Sequence, residues 1–359
     1  MIMIICLIIG SIHLGIVVFH ALVLIRYKTI DRPHSSPLLS IIVAAKNEEK
    51  NLKKLIPRLL EQKYHAFEII IGLDQCTDES LNYLRSIKSE KIQIIDIDEV
   101  PSDWNSKKYA LNESIRNSTG EWLVFIDADC VPHSNQWLSS FSSQIHMKTN
   151  FIIGVSPYTA NTSLLSQHIA FEAFQTAFLY VSRALLGKPY MAVGRNMAIR
   201  KSYFEKISGY EKIRSITGGD DDLMIQNYAS KENTRILLEK QSIVYTFPDK
   251  HWKNYWNQKI RHYSVGKKYK PKDLSFLSLF HFSHLFFLIF LFFNLSHTYF
   301  LPTLLFYLFI KLVSYRFVAG KMGMNINYML FPIVDMLYAL LTPVIALQSK
   351  LKKDIKWKN

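Results

Sequence analysis

Hydrophobic and polar positions divide the chain into three parts. Residues 1–25 contain no charged side chain, residues 36–246 mix short apolar runs with charged residues, and long apolar runs return from residue 274. About 20 consecutive apolar residues are enough to cross a bilayer. The pattern therefore predicts an N-terminal transmembrane anchor over 1–26, a soluble domain over 36–246 and a C-terminal membrane region over 274–349.

The C-terminal region contains three apolar segments, at 274–293, 299–318 and 328–347. The third one carries Asp335 and two prolines, which weaken a straight span. Positive charge is normally retained on the cytoplasmic side, and residues 350–359 form a basic tail. We therefore expect two spans followed by a third span or by a re-entrant or interfacial segment. A third span would place the basic tail outside, and Asp335 and the two prolines favour the re-entrant or interfacial form.

Within 36–246, short apolar runs rich in branched residues alternate with helical patterns. The predicted strands are 38–45, 67–73, 92–97 and 122–126, and helical patterns begin near 46–49, 78 and 107. Strands that alternate with helices predict an α/β fold with an open, Rossmann-like, mostly parallel sheet. Ligands bind such sheets beyond the carboxyl ends of the strands.

Composition narrows the possible classes of protein. The chain has 49% hydrophobic residues, 20% charged residues, a formal net charge of +14 and three cysteines. The high hydrophobic content excludes a disordered chain, and three cysteines are too few for a disulfide scaffold. The apolar excess also argues against a simple soluble nucleic-acid binder.

Much of the positive charge flanks the apolar segments. Arg26, Lys28 and Arg32 follow the first one, so the N-terminus should lie outside and the soluble domain in the cytoplasm. Residues 247–273 mix aromatic and basic side chains, a composition typical of an amphipathic segment at the bilayer surface.

Two acidic groups are candidates for chemistry. Asp127 and Asp129, called the D-x-D motif below, follow the fourth predicted strand. Residues i and i+2 of an extended segment point the same way, so both carboxylates can bind one Mg²⁺ or Mn²⁺; the alternative is a solvated turn. Asp220, Asp221 and Asp222 are adjacent, and their mutual repulsion can raise a pKa and favour a general base. The alternative for this triplet is a helix N-terminus.

In order along the chain, these features resemble a membrane-bound glycosyltransferase of family 2 with the GT-A fold, from about Ser40 to Lys268. Residues 41–49 resemble the first strand and nucleotide-binding loop of that family, and Asp74 resembles its contact to the nucleotide base or ribose. The D-x-D motif resembles the site that holds ribose and metal. The donor-binding residues implied by the resemblance are Ala45, Asn47, Glu48, Asp74, Lys107, Asp127, Gln258, Arg261 and His262.

The resemblance also implies the remaining site residues. Gly194, Arg195 and Asn196 resemble an acceptor-side loop. Asp220 matches the catalytic aspartate, and because Gly219 stands where the family has glutamate, Asp221 and Asp222 are alternates. In the Q-x-x-R-W pattern of membrane synthases, represented here by 258–262, His262 replaces tryptophan.

The implied function is inverting transfer of a sugar from a nucleoside diphosphate donor, with UDP favoured, to a membrane-associated lipid or polyprenyl-phosphate acceptor. The cofactor would be Mg²⁺ or Mn²⁺, and the protein would be a multi-pass protein of the inner cell membrane with its catalytic domain in the cytoplasm and no nucleic-acid partner. A processive polysaccharide synthase is the alternative within this class. A nucleotidyltransferase-like enzyme and a non-catalytic membrane scaffold are alternatives from other classes.

Overall fold

The computed structural model describes residues 2–28 and 36–352. Arg32 and most of the predicted basic tail lie outside the described residues. The α-helices are α1 (Ile2–Arg26), α2 (Glu49–Leu60), α3 (Ser80–Ser86), α4 (Ser106–Arg116), α5 (Trp137–Ser142), α6 (Leu164–Leu185), α7 (Lys201–Lys206), α8 (Asp222–Tyr228), α9 (Trp252–Val265), α10 (Pro271–Phe292), α11 (Phe300–Lys321) and α12 (Phe331–Leu351). The β-strands are β1 (Leu39–Ala45), β2 (Phe67–Asp74), β3 (Ile92–Ile97), β4 (Trp122–Phe125), β5 (Cys130–Pro132), β6 (Phe151–Ile153), β7 (Met197–Arg200), β8 (Thr234–Ile236) and β9 (Val244–Thr246).

The chain divides into two compact units, which are described separately. The sheet unit combines Lys28–Tyr158 with Gly187–Phe247. The helical unit combines the chain up to Tyr27, Thr159–Leu186 and the chain from Pro248 onward.

A seven-stranded sheet with the order β3-β2-β1-β4-β7-β6-β8 forms the centre of the sheet unit. Strands β1 to β4 are parallel, β7 is antiparallel to β4 and β6, and β8 is parallel to β6. Strand β1 is buried along its whole length, as expected for a central parallel strand. A small second sheet pairs β5 with β9.

Helix α4 packs very closely on β2, and Gly72 permits this approach. A Cβ atom at Gly72 would lie 2.6 Å from Ser114 Oγ and 2.7 Å from Ala110 O, closer than real Cβ contacts. Asn105 is the N-cap of α4, and its side chain accepts a hydrogen bond from Lys108 N, the usual way to satisfy a free N–H in the first turn. The N-terminal turn of α4, which carries Lys107, is thereby fixed over the sheet.

In the helical unit, α1 runs antiparallel to α10. Contacts pair residues in opposite order along the two helices: Cys6 Sγ donates to Phe287 O, His13 Nδ1 lies 3.2 Å from Ser283 Oγ, and the rings of His20 and Phe276 are 5.3 Å apart. The end of α11 joins the end of α1, because Lys321 Nζ donates to Leu24 O and Ile25 O. The carboxyl ends of α1 and α11 therefore lie at the same end of the unit as the start of α10.

A buried polar cluster joins the four apolar helices. Lys311 Nζ of α11 lies 2.7 Å from Asp335 Oδ1 of α12, and His284 Nε2 of α10 lies 3.1 Å from Asp335 Oδ2. The ring of His13 in α1 stacks on His284 at 4.7 Å. All four side chains are almost fully buried. A buried charge needs a partner because desolvation is costly, so this cluster specifies how the helices face one another.

Helix α12 is continuous through Pro343. Just before it begins, Tyr328 OH accepts a hydrogen bond from Arg316 near the carboxyl end of α11. At its other end, Trp256 of α9 donates to Gln348 and Lys267 donates to Lys350 O. Since α9 directly precedes α10, both ends of α12 contact segments from one end of the helical unit.

Within residues 2–28 and 36–352, four helices are long and apolar enough to cross a membrane: α1, α10, α11 and α12. Large apolar side chains on α11 point away from the protein, with Phe306 63% exposed and Phe317 62% exposed. Exposed apolar surface of this kind is typical of contact with lipid.

The soluble domain predicted as one segment over 36–246 is divided in the structure, because α6 belongs to the helical unit. Glu172 of α6 pairs with Lys259 of α9 at 2.9 Å, and Arg183 pairs with Asp273 of α10. The sequence of α6 does not reveal that it belongs to the helical unit, because charged residues such as Glu172 and Arg183 are typical of a helix in a soluble domain.

Candidate functional site

The carboxyl ends of the parallel strands meet at one edge of the sheet, where a small pocket opens. This pocket is lined by several of the predicted site residues, which are far apart in the sequence. They are Lys107, Asp127, Gly194, Asp220 and Asp221. The structure thus brings together the predicted lysine, part of the D-x-D motif, part of the acceptor-side loop and two residues of the acidic triplet.

Lys107 connects the two acidic groups. Its Nζ lies 3.0 Å from Asp127 Oδ1 and 3.1 Å from Asp220 Oδ2. Burial alone would lower the pKa of Lys107, but the charges of these two carboxylates and of Asp221 outweigh burial and hold it well above its ordinary value. Lys107 is therefore a fixed positive charge between the D-x-D motif and the acidic triplet.

The three aspartates of the triplet have different surroundings. Burial alone would raise the pKa of Asp220, but Lys107 and Lys108 outweigh burial and lower it. Burial, together with the charge of Asp220, raises the pKa of Asp221 to about 6. Asp222 is the first residue of α8, the position expected from the helix-terminus alternative.

Hydrogen bonds also distinguish Asp221 from Asp220. Asp221 Oδ2 accepts from Gly194 N at 2.6 Å, and its Oδ1 accepts from Asp222 N at 2.7 Å. Lys108 Nζ donates to Gly218 O at 2.6 Å and fastens the glycine segment that leads into the triplet. Lys108 is buried and has a structural role.

The D-x-D motif offers a group of potential metal ligands. One ligand atom each from Asp127, Asp129 and Cys130 lies within 4.8 Å of the others. Desolvation by the surrounding chain and the charge of Asp127 raise the pKa of Asp129, as expected for two neighbouring carboxylates, although Asp129 is exposed at the surface. Burial raises the pKa of the Cys130 thiol well above its ordinary value, so the thiol stays protonated. The two carboxylates fit a hard cation such as Mg²⁺ or Mn²⁺.

Asn47 and Glu48 hold neighbouring loops together. Asn47 adopts a positive φ of 54°, a conformation that asparagine tolerates better than most residues. Its Oδ1 accepts from Thr77 N at 2.7 Å and Asp78 N at 3.3 Å, while Glu48 N donates to Ser80 Oγ at 3.2 Å. The loop after β1 is thereby joined to the loop after β2, a role that sequence reasoning did not foresee. Ala45 is the last residue of β1 in this same corner.

Asp74 has an unused acceptor atom. The residue is 0% exposed, and its Oδ2 lies 3.2 Å from Lys46 Nζ. Its Oδ1 is buried and has no hydrogen-bond partner among the described residues. An unsatisfied buried acceptor is costly, so Oδ1 has an unfilled hydrogen-bonding position. Sequence reasoning did not single out Lys46, which holds this carboxylate in place.

The predicted acceptor-side loop is held firmly in the sheet unit. Asn196 is buried; its Oδ1 accepts from Trp137 Nε1 at 3.0 Å and its Nδ2 donates to Val155 O at 2.7 Å. Asn196 is therefore a structural residue in this loop. The side chain of Arg195 points to Ser156, whose hydroxyl accepts from its Nε at 2.7 Å.

The remaining predicted donor-binding residues, Gln258, Arg261 and His262, lie on α9 of the helical unit. Gln258 and Arg261 are half-buried and His262 is exposed. Their predicted contact with the donor stays a prediction.

Part of the chain matches a known protein family. Residues 40–208 match the family model described as glycosyl transferase family 2. This segment is a family 2 glycosyltransferase domain. It contains the loops after β1 and β2, Lys107, the D-x-D motif and the Gly194 turn, while the acidic triplet lies beyond it.

The relatives of this glycosyltransferase domain include 4,4'-diaponeurosporenoate glycosyltransferase from Staphylococcus aureus strain bovine RF122 / ET3-1. The two chains are 24% identical over 149 residues, which is 41% of this chain and 38% of the relative. The protein of the same name from strain USA300 matches to the same extent. The chain thus spans about two fifths of the length of the curated relatives it matches.

A solved structure resembles nearly the whole chain. Mannosyltransferase PcManGT from Pyrobaculum calidifontis, solved in complex with GDP-Man and Mn²⁺, has a TM-score of 0.59 and 15% sequence identity. The likeness covers 95% of this chain and 99% of that chain. The predicted α/β fold of GT-A type, with apolar helices at both ends, is confirmed.

Proposed function

We propose that this protein transfers a sugar, with inversion, from a nucleoside diphosphate sugar to a membrane-associated acceptor. The observation that carries the proposal is the double ion pair of Lys107 with Asp127 and Asp220. It joins a cation site for the leaving group and a candidate base within one pocket of a family 2 glycosyltransferase domain. A non-catalytic scaffold would not need such a costly concentration of buried charge.

The carboxylates of Asp127 and Asp129 would hold Mg²⁺ or Mn²⁺. The oxygen donors fit either ion, and the mannosyltransferase with the same fold was solved with Mn²⁺. When bound, the ion supplies Lewis-acid chemistry to the diphosphate. Lys107 adds a fixed positive charge beside that diphosphate and stabilises the negative charge that develops as it leaves.

Asp220 is the proposed general base. Its lowered pKa keeps it ionised and able to accept a proton. Asp221 is less suited, because both of its oxygens already accept backbone N–H groups. In the proposed step the acceptor hydroxyl gives its proton to Asp220, its oxygen bonds to the anomeric carbon, and the bond from that carbon to the diphosphate oxygen breaks.

The nucleoside would bind beside Asp74. Its unused buried Oδ1 can accept a hydrogen bond from a ribose hydroxyl or a base N–H. The motif resemblance favours a uridine nucleotide, whereas the structural neighbour binds GDP-Man. Competition between UDP and GDP for the purified protein distinguishes these donors.

The proposed acceptor is a lipid. Apolar side chains of α11 are exposed where a membrane would contact them, and the Staphylococcus relative is named for 4,4'-diaponeurosporenoate, a carotenoid acid. We further propose that α1, α10 and α11 span the inner membrane while α12 does not cross it and is re-entrant or interfacial, because both its ends contact one end of the helical unit. The basic end of the chain then stays in the cytoplasm.

The function is tested with membranes that contain the full-length protein, incubated with a panel of radiolabelled UDP- and GDP-sugars with Mg²⁺ or Mn²⁺. After lipid extraction, label in the organic phase supports transfer to lipid. The Asp220→Asn variant should lose transfer and retain UDP or GDP binding, while the matched Asp222→Asn variant should retain transfer. Label only in soluble glycan would refute the lipid acceptor, and full activity of Asp220→Asn would refute the base.

A further inference from the structure

Arg195 occupies a turn that is fixed on both sides. The residue before it, Gly194, donates its N–H to Asp221, and the residue after it, Asn196, is held by Trp137. The backbone at Arg195 therefore has little freedom to move. Its side chain starts from a defined position next to the acidic pocket.

The guanidinium itself is held by Ser156. Nε donates to Ser156 Oγ at 2.7 Å and Nη2 donates to Ser156 O at 3.2 Å. The guanidinium carbon lies 5.3 Å from the centre of the Tyr158 ring, within the range of a cation–π interaction. Among the described residues, none accepts a hydrogen bond from Nη1, so one edge of this planar group remains available.

The carboxylates of Asp127 and Asp129 are among the acidic groups that act on Arg195. Burial alone would lower its pKa, but Tyr158 and the thiol and carboxylates of residues 127–130 outweigh burial and raise it. Among the described residues, however, no ion pair of 4.0 Å or less joins Arg195 to Asp127 or Asp129. Gly194, which precedes Arg195, and Asp127 line the same pocket, so Arg195 lies beside the D-x-D motif without an ion pair to it.

A positive charge in this place opposes the binding of a cation to the D-x-D motif. If the site existed only to bind metal, Arg195 would weaken it, since like charges repel at short range. The arrangement is favourable once a multiply charged anion lies between the cation site and the guanidinium. Arginine is well suited to this task because its planar donors match phosphate oxygens.

We propose that Arg195 binds phosphate oxygens of the nucleoside diphosphate beside the D-x-D motif. This inference rests on the proposed function and changes the role implied by the sequence, in which Arg195 lies on the acceptor side. A polyprenyl phosphate offers the same phosphate chemistry. The two sources are distinguished by separate binding measurements.

The test measures binding to the purified full-length protein and to its Arg195→Met variant by calorimetry. With Mn²⁺ alone, the variant should bind equally well or up to about tenfold more tightly, because a repelling charge has gone. With saturating Mn²⁺, UDP or GDP should bind about tenfold to a hundredfold more weakly, the loss typical of a charge-assisted hydrogen bond. Uridine and guanosine, which lack phosphate, should bind with unchanged affinity.

Arg235→Met is the matched control, because Arg235 donates to the backbone carbonyl of Thr234 but does not line the pocket. It should leave all of these affinities unchanged. Arg195→Lys keeps the charge without the planar donors and should give an intermediate loss. Ser156→Ala, which releases the guanidinium, should also weaken diphosphate binding, and these two variants carry the test if Arg195→Met does not fold.

Three outcomes would overturn the proposal. A parallel loss of Mn²⁺ and nucleoside affinity would show that Arg195 only supports the fold. Unchanged diphosphate affinity with weakened binding of polyprenyl phosphate in nanodiscs would assign Arg195 to the acceptor. Unchanged affinity for all ligands would remove any binding role. If the wild-type protein binds neither diphosphate, the proposed function itself fails, which is a separate result.

Discussion

The ammonium group of Lys107 lies 3.1 Å from the carboxylate of Asp220, the proposed base. The same ammonium contacts Asp127 at 3.0 Å. Lys107 comes from α4, Asp127 follows β4 and Asp220 precedes α8, so three distant parts of the chain meet at one charge. This arrangement makes the protonation of Asp220 depend on Lys107.

Replacing Lys107 with methionine should reduce kcat about a hundredfold or more, the effect of removing an electrostatic stabiliser from an active site. The pKa of Asp220 should also rise, because only the charge of Lys108 then remains to oppose the effect of burial. The measurement is kcat for sugar transfer against pH, where the acidic limb should move to higher pH. Lys53→Met, at an exposed lysine of α2, is the control, and an unshifted limb in Lys107→Met would contradict the coupling.

The pH dependence of kcat/KM should reveal which aspartate is the base. Since the pKa of Asp220 is lowered, the rate should not fall tenfold per pH unit as pH drops below 6. If Asp221 were the base, that fall would begin near its pKa of about 6. Profiles from pH 5 to 8 for the wild type and Asp221→Asn decide between them.

Asp221 should also affect stability in a pH-dependent way. Its folded-state pKa is raised above the ordinary value of 3.8, so the folded protein holds this proton more tightly than the unfolded chain. The resulting stability is present below about pH 4 and is lost as pH rises through 6. Asp221→Asn should therefore gain in Tm relative to the wild type between pH 4 and pH 7; a pH-independent difference would show that Asp221 is ionised in the folded protein across this range.

The buried pair of Lys311 and Asp335 should be far more sensitive to single than to double substitution. Asp335→Ala leaves Lys311 as an uncompensated buried charge, a change that costs about 3–5 kcal/mol. The double variant Lys311→Met with Asp335→Leu removes both charges and should recover most of that loss. Thermal unfolding in detergent measures the stability of the single and double variants. If the two substitutions lowered stability additively, the two side chains would not stabilise each other.

If α12 does not cross the membrane, residue 352 should lie on the cytoplasmic side. A cysteine at Lys352, in a background where Cys6, Cys76 and Cys130 are replaced, should react with an impermeant maleimide only after the cells are permeabilised. A cysteine at Ser296, between α10 and α11, should react in intact cells. Labelling of position 352 in intact cells would show that α12 crosses the membrane.

Much of the first half of the fold follows from local pattern. The predicted strands at 67–73 and 92–97 agree with β2 and β3 to within one residue, because short runs of branched apolar residues have few other stable conformations. The pairing of β5 with β9 could not be predicted, since each strand has three residues and they are separated by more than 100 positions. No local pattern carries that information.

The sequence predicts which residues form the candidate site better than it predicts how they are arranged. The motifs point to Asp127 and Asp220, but the bridge through Lys107 depends on how closely α4 packs on Gly72. The difference between Asp220 and Asp221 depends on a hydrogen bond from Gly194, 27 residues away. Such differences arise from tertiary packing, which motif spacing does not encode.

The bridge that Asn47 makes to Thr77 and Asp78 has a consequence for redesign. Because the two loops are joined before any nucleotide arrives, binding does not have to order them, and that entropy loss is avoided. Grafting only one of the two loops to change the preferred nucleotide would remove these hydrogen bonds and leave both loops more mobile. A successful graft has to exchange the loops after β1 and β2 as a pair.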